Sequence, residues 1–192
     1  GEMGRGEEWH RMERRFHAQT LGTLNRTGAF GAFLAADHPA SPSRHQTISS
    51  ALNGFALHLA RVVVEDLFLG KLIYAGGDDL LAMVALHDLP GLMLALRCTY
   101  SGVLPSGSNH DGFWKRLTGQ SQDRLKIRNG FALLRNKDKE QTGRMFRLMG
   151  ERATASTGAV VAHHSAPMSR VLSELRAAEG AAKAAGRDAF CI

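Results

Sequence analysis

The sequence is poor in the residues that mark several classes of protein. It contains two cysteines, Cys98 and Cys191, which are too few and too far apart for a disulfide framework or a cysteine-rich metal site. It lacks an uninterrupted apolar run of about 18 residues, so we expect no membrane-spanning helix. It also lacks a secretory signal at its start. These absences favour a reducing, cytoplasmic setting without a membrane partner.

The remaining composition is typical of a folded domain of ordinary size. The 192 residues are 44% hydrophobic and 22% charged, which excludes disorder as the default state. Lysine and arginine number 24 against 18 aspartate and glutamate, which gives a net charge of +6. Basic residues cluster at 11–15 and at 124–139, and neither cluster is interleaved with aromatic residues in a way that suggests base stacking. Each cluster is therefore either a solvated face or a contact surface.

Hydrophobic spacing predicts the first half of the fold. Thr47 is a candidate N-cap for an amphipathic helix that follows a loop over 35–46 and runs to about Leu69. Its apolar residues recur every three or four positions, at Ile48, Leu52, Phe55, Leu59 and Val62. Two apolar segments, 71–75 and 80–86, flank four turn-forming residues and predict a β-hairpin whose strands are covered on both faces. A helix from about Leu89 to Tyr100 follows.

The second half of the chain is predicted to contain a loop-rich segment followed by a strand, a helix and a further strand. We expect a loop-rich insertion at about 101–150, with a short helix anchored by Trp114 and another suggested around 145–149. Residues 153–163 are typical of a strand. Pro167 begins a helix that ends at Gly186, and its apolar stripe is Met168, Val171, Leu172 and Leu175. A final strand begins at 189–192.

This order predicts one α+β domain over residues 1–192. Its class is a ferredoxin-like palm, with an antiparallel sheet, helices on one face and the first strand missing. We therefore expect the chain to be part of a longer protein.

Gly76, Gly77, Asp78 and Asp79 form the predicted tip of the hairpin. Adjacent carboxylates repel each other by about 1 kcal/mol in water and by about 4 kcal/mol at an effective dielectric constant of about 20, which a cation would relieve. Oxygen ligands favour Mg²⁺ or Mn²⁺ over Zn²⁺, and the glycines leave room for a nucleotide against the backbone. A pair of such ions would hold both the attacking and the leaving oxygen of a phosphoryl transfer. The alternative is an ordinary surface turn, in which glycine and aspartate are common.

Four ordered blocks of sequence resemble one protein family. The segment 70–79, Gly-Lys-Leu-Ile-Tyr-Ala-Gly-Gly-Asp-Asp, resembles the palm motif of the large subunit of type III CRISPR effector complexes, the type III-B kind in particular. Residues 45–49 are similar to the family's segment before that motif, and residues 155–167 to its later strand and helix start. Residues 182–187 are similar to a helix end shared with diguanylate cyclases of the GGDEF type. The likeness is weak over 101–150.

The resemblance implies a nucleotidyltransferase palm. In that family the domain binds ATP and joins it into cyclic oligoadenylates, second messengers of antiviral defence, once target RNA pairs with the guide. The implied cofactors are two Mg²⁺ or Mn²⁺ ions, and the implied partners are other effector subunits, with guide RNA and target RNA reached through the complex. By position, the resemblance implies that Asp78 and Asp79 are the catalytic, metal-binding acids. It implies that Gly76 and Gly77 are the glycines beside the nucleotide and that Ser156 is a small polar residue near it. Lys183 matches the lysine that binds phosphates.

The chain departs from this family at its start. The family's first palm strand ends in Asp-Gly-Asp-x-Met-Gly, and Gly1-Glu2-Met3-Gly4 match only the tail of that motif. The first metal-binding aspartate is therefore absent from these residues, and Glu2 is a candidate substitute. Two alternatives stay open: a catalytically weak structural platform in the guide-RNA complex, and a free-standing diguanylate cyclase, which Leu80 after the acids disfavours. We expect structural or surface roles for His163 and His164.

Overall fold

The computed structural model of the chain describes residues 42–107, 109–119, 124–136 and 143–192. Predictions that fall on residues 1–41, among them Glu2 as a metal ligand and the basic cluster at 11–15, lie outside the described residues. The chain divides into two compact units, Gly1–Gln46 and Thr47–Ile192. The elements that position the candidate site belong to the second unit.

The first described element is a long helix. Helix α1 spans Pro42–Gly54 and continues through two π-helical segments, Phe55–Leu59 and Val62–Leu67. Proline is well tolerated in the first turn of a helix, because its missing N–H would have no intrahelical partner there. The helix therefore begins at Pro42, and both the predicted N-cap at Thr47 and the predicted loop over 42–46 are wrong.

The apolar stripe of this helix is buried only in its second half. Leu59 and Val63 are fully buried in the core, whereas Ile48 is 39% exposed. By length and composition alone, the 26 residues Pro42–Leu67 could cross a membrane, so the expectation of no membrane-spanning helix stays a prediction. Core helices of globular proteins pass the same test, and the second half of this helix packs in that way.

Strands β1 (Gly70–Gly76) and β2 (Asp79–Val84) form the predicted hairpin. One face packs on the core through Leu72, Ala75, Leu80, Ala82 and Val84. The other face is open, with Ile73, Tyr74 and Met83 all more than half exposed. Cover on both faces was therefore a wrong prediction, because in the described part of the chain this sheet is a narrow ribbon of two strands.

Helices α2 (Leu89–Ser101) and α3 (His110–Thr118) complete the core. Helix α2 confirms the predicted helix at 89–100 and ends at Gly102, which has a left-handed φ of 80°. Asn109 caps α3, where its side-chain oxygen accepts a 2.6 Å hydrogen bond from the Gly112 N–H. The short helix predicted around Trp114 is thus confirmed, and that indole is fully buried.

A three-stranded antiparallel sheet occupies much of the segment predicted to be rich in loops. It contains β3 (Leu125–Arg128), β4 (Phe131–Arg135) and β5 (Gly143–Arg147), in that order. The helix suggested around 145–149 is wrong, because residues 143–147 form strand β5. Successive residues of a strand face opposite sides, and in β5 Phe146 is buried while Met145 and Arg147 are exposed. Strands β3 and β4 are joined by Asn129 and Gly130 at φ values of 51° and 77°, as a type I′ turn requires.

The last elements are strand β6 (Thr157–Gly158), helix α4 (Met168–Ala184) and strand β7 (Phe190–Cys191), with the two strands parallel. The helix start at Pro167 is confirmed. The strand predicted over 153–163 is reduced to two residues, because its described partner β7 offers only two residues for pairing. The predicted stripe is wrong at Met168, which is 58% exposed. Helices combined with mainly antiparallel ladders confirm the α+β class.

Candidate functional site

The tip of the first hairpin is a two-residue turn. Gly76 pairs with Asp79, which leaves Gly77 and Asp78 as the turn residues. Gly77 has a φ of 62°, and a positive φ at the first turn position alone is the requirement of a type II′ turn. Both Asp78 and Asp79 are exposed, and no residue of the described ranges forms an ion pair with either carboxylate. The turn therefore presents two neighbouring acids to solvent.

The two tip glycines have different surroundings. A Cβ at Gly76 would run into the hydroxyl end of the Tyr74 ring, so that ring already covers the glycine. A Cβ at Gly77 would meet nothing within 4 Å. The open backbone surface at the tip is consequently that of Gly77, and Gly76 accommodates the Tyr74 side chain.

Lys183 lies within electrostatic range of the tip. It stands in the last turn of α4 and forms a 2.6 Å ion pair with Glu179, one turn earlier. The hydrogen bond to Glu179 raises the pKa of Lys183 above its ordinary value, and the negative charge of Asp79 raises it further. The lysine thus belongs electrostatically to the same group as the hairpin acids, although Glu179 is its nearest partner.

The charge of the tip also acts on Tyr100. This residue is in the last turn of α2, and burial raises the pKa of its phenol. The charge of Asp78 raises that pKa further. The hairpin tip is therefore in electrostatic contact with the C-terminal turns of both α2 and α4.

Ser156 occupies a separate position, just before β6. Hydrogen bonds from Arg97 lower the pKa of Asp188, and the backbone N–H of Ala155, the residue before Ser156, donates to the same carboxylate and lowers it further. Arg97 of α2 binds the same carboxylate in a bidentate ion pair, with Nη2 2.9 Å from Oδ2. Within the described ranges no hydrogen bond joins Ser156 to Asp78 or Asp79. The structure thus brings the acids near Lys183 and leaves Ser156 without a described contact to them.

Comparison with known protein families identifies the domain. A sequence model described as the Cas10/Cmr2 second palm domain matches residues 22–118, which is half of the chain and includes the hairpin tip. The chain belongs to the Cas10/Cmr2 palm family. The resemblance to the large subunit of type III-B CRISPR effector complexes is thereby confirmed.

One curated relative of this Cas10/Cmr2 palm is the CRISPR system Cmr subunit Cmr2 of Pyrococcus furiosus. The two sequences are 36% identical over 84 residues. The aligned region is 44% of this chain and 9% of that relative, so the chain spans a small part of the relative's length. The search of solved structures gave no match.

The carboxylates of the Cas10/Cmr2 palm suit a hard divalent cation. Mg²⁺ is commonly bound by one or two carboxylates together with substrate phosphates, and Asp78 and Asp79 offer such a pair. Among the described residues no group of three histidine, cysteine, aspartate or glutamate side chains is close enough to form a self-sufficient metal site. The described carboxylates of the tip therefore fit a cation that also takes oxygen ligands from a nucleotide and water.

Two residues linked electrostatically to the candidate site of the Cas10/Cmr2 palm, Glu179 and Tyr100, are not predicted from the sequence. Glu179 could have been found, because it precedes Lys183 by four residues on a predicted helix, the spacing of an ion pair. Tyr100 carried no local signal, because the charge of Asp78 acts on it only in the folded chain. His163 and His164 are exposed, with ring centroids 4.1 Å apart, which agrees with the expected surface position.

Two surface grooves of the Cas10/Cmr2 palm, of about 360 and 340 Å³, lie along α1 rather than at the tip. They share Leu57 and His58, and one reaches Arg124 while the other reaches β5. Neither groove is lined by Asp78 or Asp79.

Proposed function

We propose that this chain is the metal-dependent nucleotidyltransferase palm of a CRISPR RNA-guided effector subunit, converting ATP into cyclic oligoadenylates. The observation that carries the proposal is the exposed Asp78–Asp79 pair on a tight turn within a Cas10/Cmr2 palm, with the charge of Asp79 acting on Lys183. The proposal includes a cytoplasmic location and partners among the other effector subunits. Guide RNA and target RNA would be reached through that complex.

The residues at the tip would divide the work of the reaction. Asp78 and Asp79 would hold Mg²⁺ or Mn²⁺, which supplies charge neutralisation at the phosphates. Lys183 adds a positive charge on the side of Asp79, and the bare backbone of Gly77 admits a nucleotide close to the turn. Phosphoryl transfer needs mainly such positioning and electrostatic stabilisation, with little covalent participation by the protein.

The reaction itself exchanges one bond for another. The ribose 3′-oxygen of one ATP forms a bond to the α-phosphorus of a second ATP. The bond from that phosphorus to the bridging oxygen breaks, so pyrophosphate leaves, and the hydroxyl proton passes to solvent. Repetition and a final intramolecular step of the same kind close the ring. Ser156 is proposed to lie near the nucleotide on the basis of the family resemblance.

The test is product formation by the assembled complex containing the full-length subunit, supplied with ATP, divalent cation and target RNA. We expect Asp78→Asn with Asp79→Asn to reduce cyclic oligoadenylate by at least about a hundredfold, since losing even one preorganised electrostatic contact has that effect in enzymes. The matched control is Glu151→Gln with Glu174→Gln, which also removes two acids but outside the tip. Undiminished synthesis by the tip variant would end the catalytic proposal.

A second candidate function is a structural platform with little catalysis of its own. It is favoured by the finding that the described residues supply two tip carboxylates and no group of three metal-ligating side chains. Titration calorimetry of the full chain with ATP and Mn²⁺ separates the two functions. Metal-dependent binding that Asp78→Asn abolishes supports the catalytic palm, and the absence of such binding supports the platform. Comparing GTP with ATP in the same titration tests the diguanylate cyclase alternative.

A further inference from the structure

The outer face of the three-stranded sheet carries an aromatic ring between two arginines. Arg128 of β3 lies opposite Phe131 of β4, and Phe131 lies opposite Arg147 of β5. Residues that are directly opposite in antiparallel strands point to the same face. These three side chains therefore form a row across the sheet, called here the Arg–Phe–Arg row. Residues 128 and 147 are distant in sequence, so only the register of the strands reveals it.

The Arg–Phe–Arg row faces solvent. Arg128 and Arg147 are exposed, and Phe131 is 42% exposed. The next row toward the other end of the sheet includes Met145, which is 71% exposed. The opposite face of the same strands is packed in the core, through Leu125, Ile127, Ala132 and Phe146. The sheet thus has one face for packing and one open face with a phenyl ring in it.

All charged side chains in the three strands are positive. Their sequences, Leu-Lys-Ile-Arg, Phe-Ala-Leu-Leu-Arg and Gly-Arg-Met-Phe-Arg, contain five basic residues and no acidic residue. Within the part of the chain that the structure describes, neither Arg128 nor Arg147 forms an ion pair with a carboxylate. Both guanidinium groups are therefore open to an anionic partner.

We propose that the Arg–Phe–Arg row binds single-stranded RNA. A guanidinium group binds phosphate oxygens in a bidentate manner, and an exposed aromatic ring stacks on an unpaired base. Sheet faces that combine aromatic and basic side chains are one of the recurring platforms on which proteins stack two or three unpaired RNA bases. A duplex would present no free base to Phe131, and an acidic peptide would use the arginines but not the ring. The occupant that uses all three side chains is an unpaired polynucleotide.

This inference does not depend on the proposed nucleotidyltransferase activity. The Arg–Phe–Arg row lies on the β3–β4–β5 sheet, whereas the acids lie on the separate β1–β2 hairpin. If the unmodified chain binds ATP with metal but not RNA, only the RNA proposal fails; if it binds RNA but not ATP with metal, only the catalytic proposal fails.

The test is fluorescence anisotropy of the full chain with a labelled single-stranded RNA of about 12 nucleotides, a length within the known site sizes of such platforms. We expect Phe131→Leu, which keeps an apolar side chain but removes the stacking surface, to weaken binding by about fivefold to about a hundredfold. We expect Arg128→Gln with Arg147→Gln to lower the slope of log affinity against log salt by about 1.4, since each phosphate contact on a single strand contributes about 0.7.

The matched control is Arg170→Gln with Arg176→Gln, two exposed arginines of α4, which removes the same charge from another surface. Its affinity should stay within about twofold of the unmodified chain if the row is the site. Circular dichroism of each variant verifies that the fold is retained, and Phe131 can also be replaced by tyrosine, which should bind normally. Equal weakening by the control, no effect of Phe131→Leu, or binding of duplex RNA or single-stranded DNA at least as tight as single-stranded RNA would overturn the proposal.

Discussion

Replacing Gly102 by alanine tests how helix α2 is joined to the three-stranded sheet. Gly102 follows the last turn of α2 in the left-handed conformation, and its carbonyl accepts a 3.1 Å hydrogen bond from the Gly130 N–H. A Cβ at position 102 would stand 2.7 Å from the Cα of Gly130 and 3.0 Å from a methyl carbon of Leu148. The substitution therefore strains the backbone and also pushes the helix end away from the β3–β4 turn.

The two effects can be given separate magnitudes. A left-handed backbone costs a residue with a Cβ about 1–2 kcal/mol, and overpacking of a close contact costs about 1–3 kcal/mol. We expect Gly102→Ala to lower the free energy of unfolding by about 2–5 kcal/mol. Gly107 is the matched control, because its φ is 77° but a Cβ there would meet nothing within 4 Å. Gly107→Ala should lose only the backbone part, about 1–2 kcal/mol.

Urea unfolding followed by the fluorescence of Trp114 measures both changes, since this indole is fully buried in the folded chain. A Trp9→Phe background makes Trp114 the sole tryptophan, because the sequence contains two. The reasoning about the close approach is refuted if the two glycine variants lose the same free energy within about 0.5 kcal/mol. A larger loss for Gly107→Ala would contradict the open surroundings of that residue as well.

Two further predictions concern ionisable groups. Burial raises the pKa of the Cys98 thiol to about 11. At about pH 8, iodoacetamide should therefore alkylate Cys191 and leave Cys98 unmodified until the chain unfolds. Equal labelling of the two cysteines by mass spectrometry would contradict this. Hydrogen bonds from Lys71 and then Arg61 lower the pKa of Glu65 from 4.5 to about 2, so its stabilising effect is complete above pH 4.5 and is lost as the pH falls toward 2. Glu65→Gln should therefore flatten the pH dependence of the urea midpoint in that interval, and an unchanged dependence would show that these contacts contribute nothing.

The parts of the fold that could be predicted have strong local signals. The β1–β2 hairpin has apolar strands around a turn of glycine and aspartate, and α2 has apolar residues at helical spacing followed by a glycine. The three-stranded sheet was missed although Asn129-Gly130 is a favoured hairpin turn, because its strands are only four or five residues long. The predicted start of α1 is wrong because proline, which is common in loops, also suits the first turn of a helix.

The candidate site also has features that a short motif encodes and features that depend on packing. Asp78 and Asp79 are adjacent in sequence, so their position at one turn could be predicted from the pattern alone. The approach of Tyr100 to Asp78 and the ion pair of Arg97 with Asp188 depend on how helices pack, which no short motif encodes. The basic cluster at 124–139 contains Phe131, but its sequence does not suggest base stacking, and only strand register places that ring between Arg128 and Arg147.

The acids and the lysine at the tip belong to different packing groups. Asp79 is part of the β1–β2 ladder, whereas Lys183 is on α4, which packs mainly on β6 and β7. The Arg97–Asp188 ion pair ties this second group to α2. A small rotation of α4 would therefore alter the electric field at Asp79 while every ladder hydrogen bond of the hairpin stays intact. Affinity for a charged ligand at the turn can change in this molecule without any rearrangement of the turn itself.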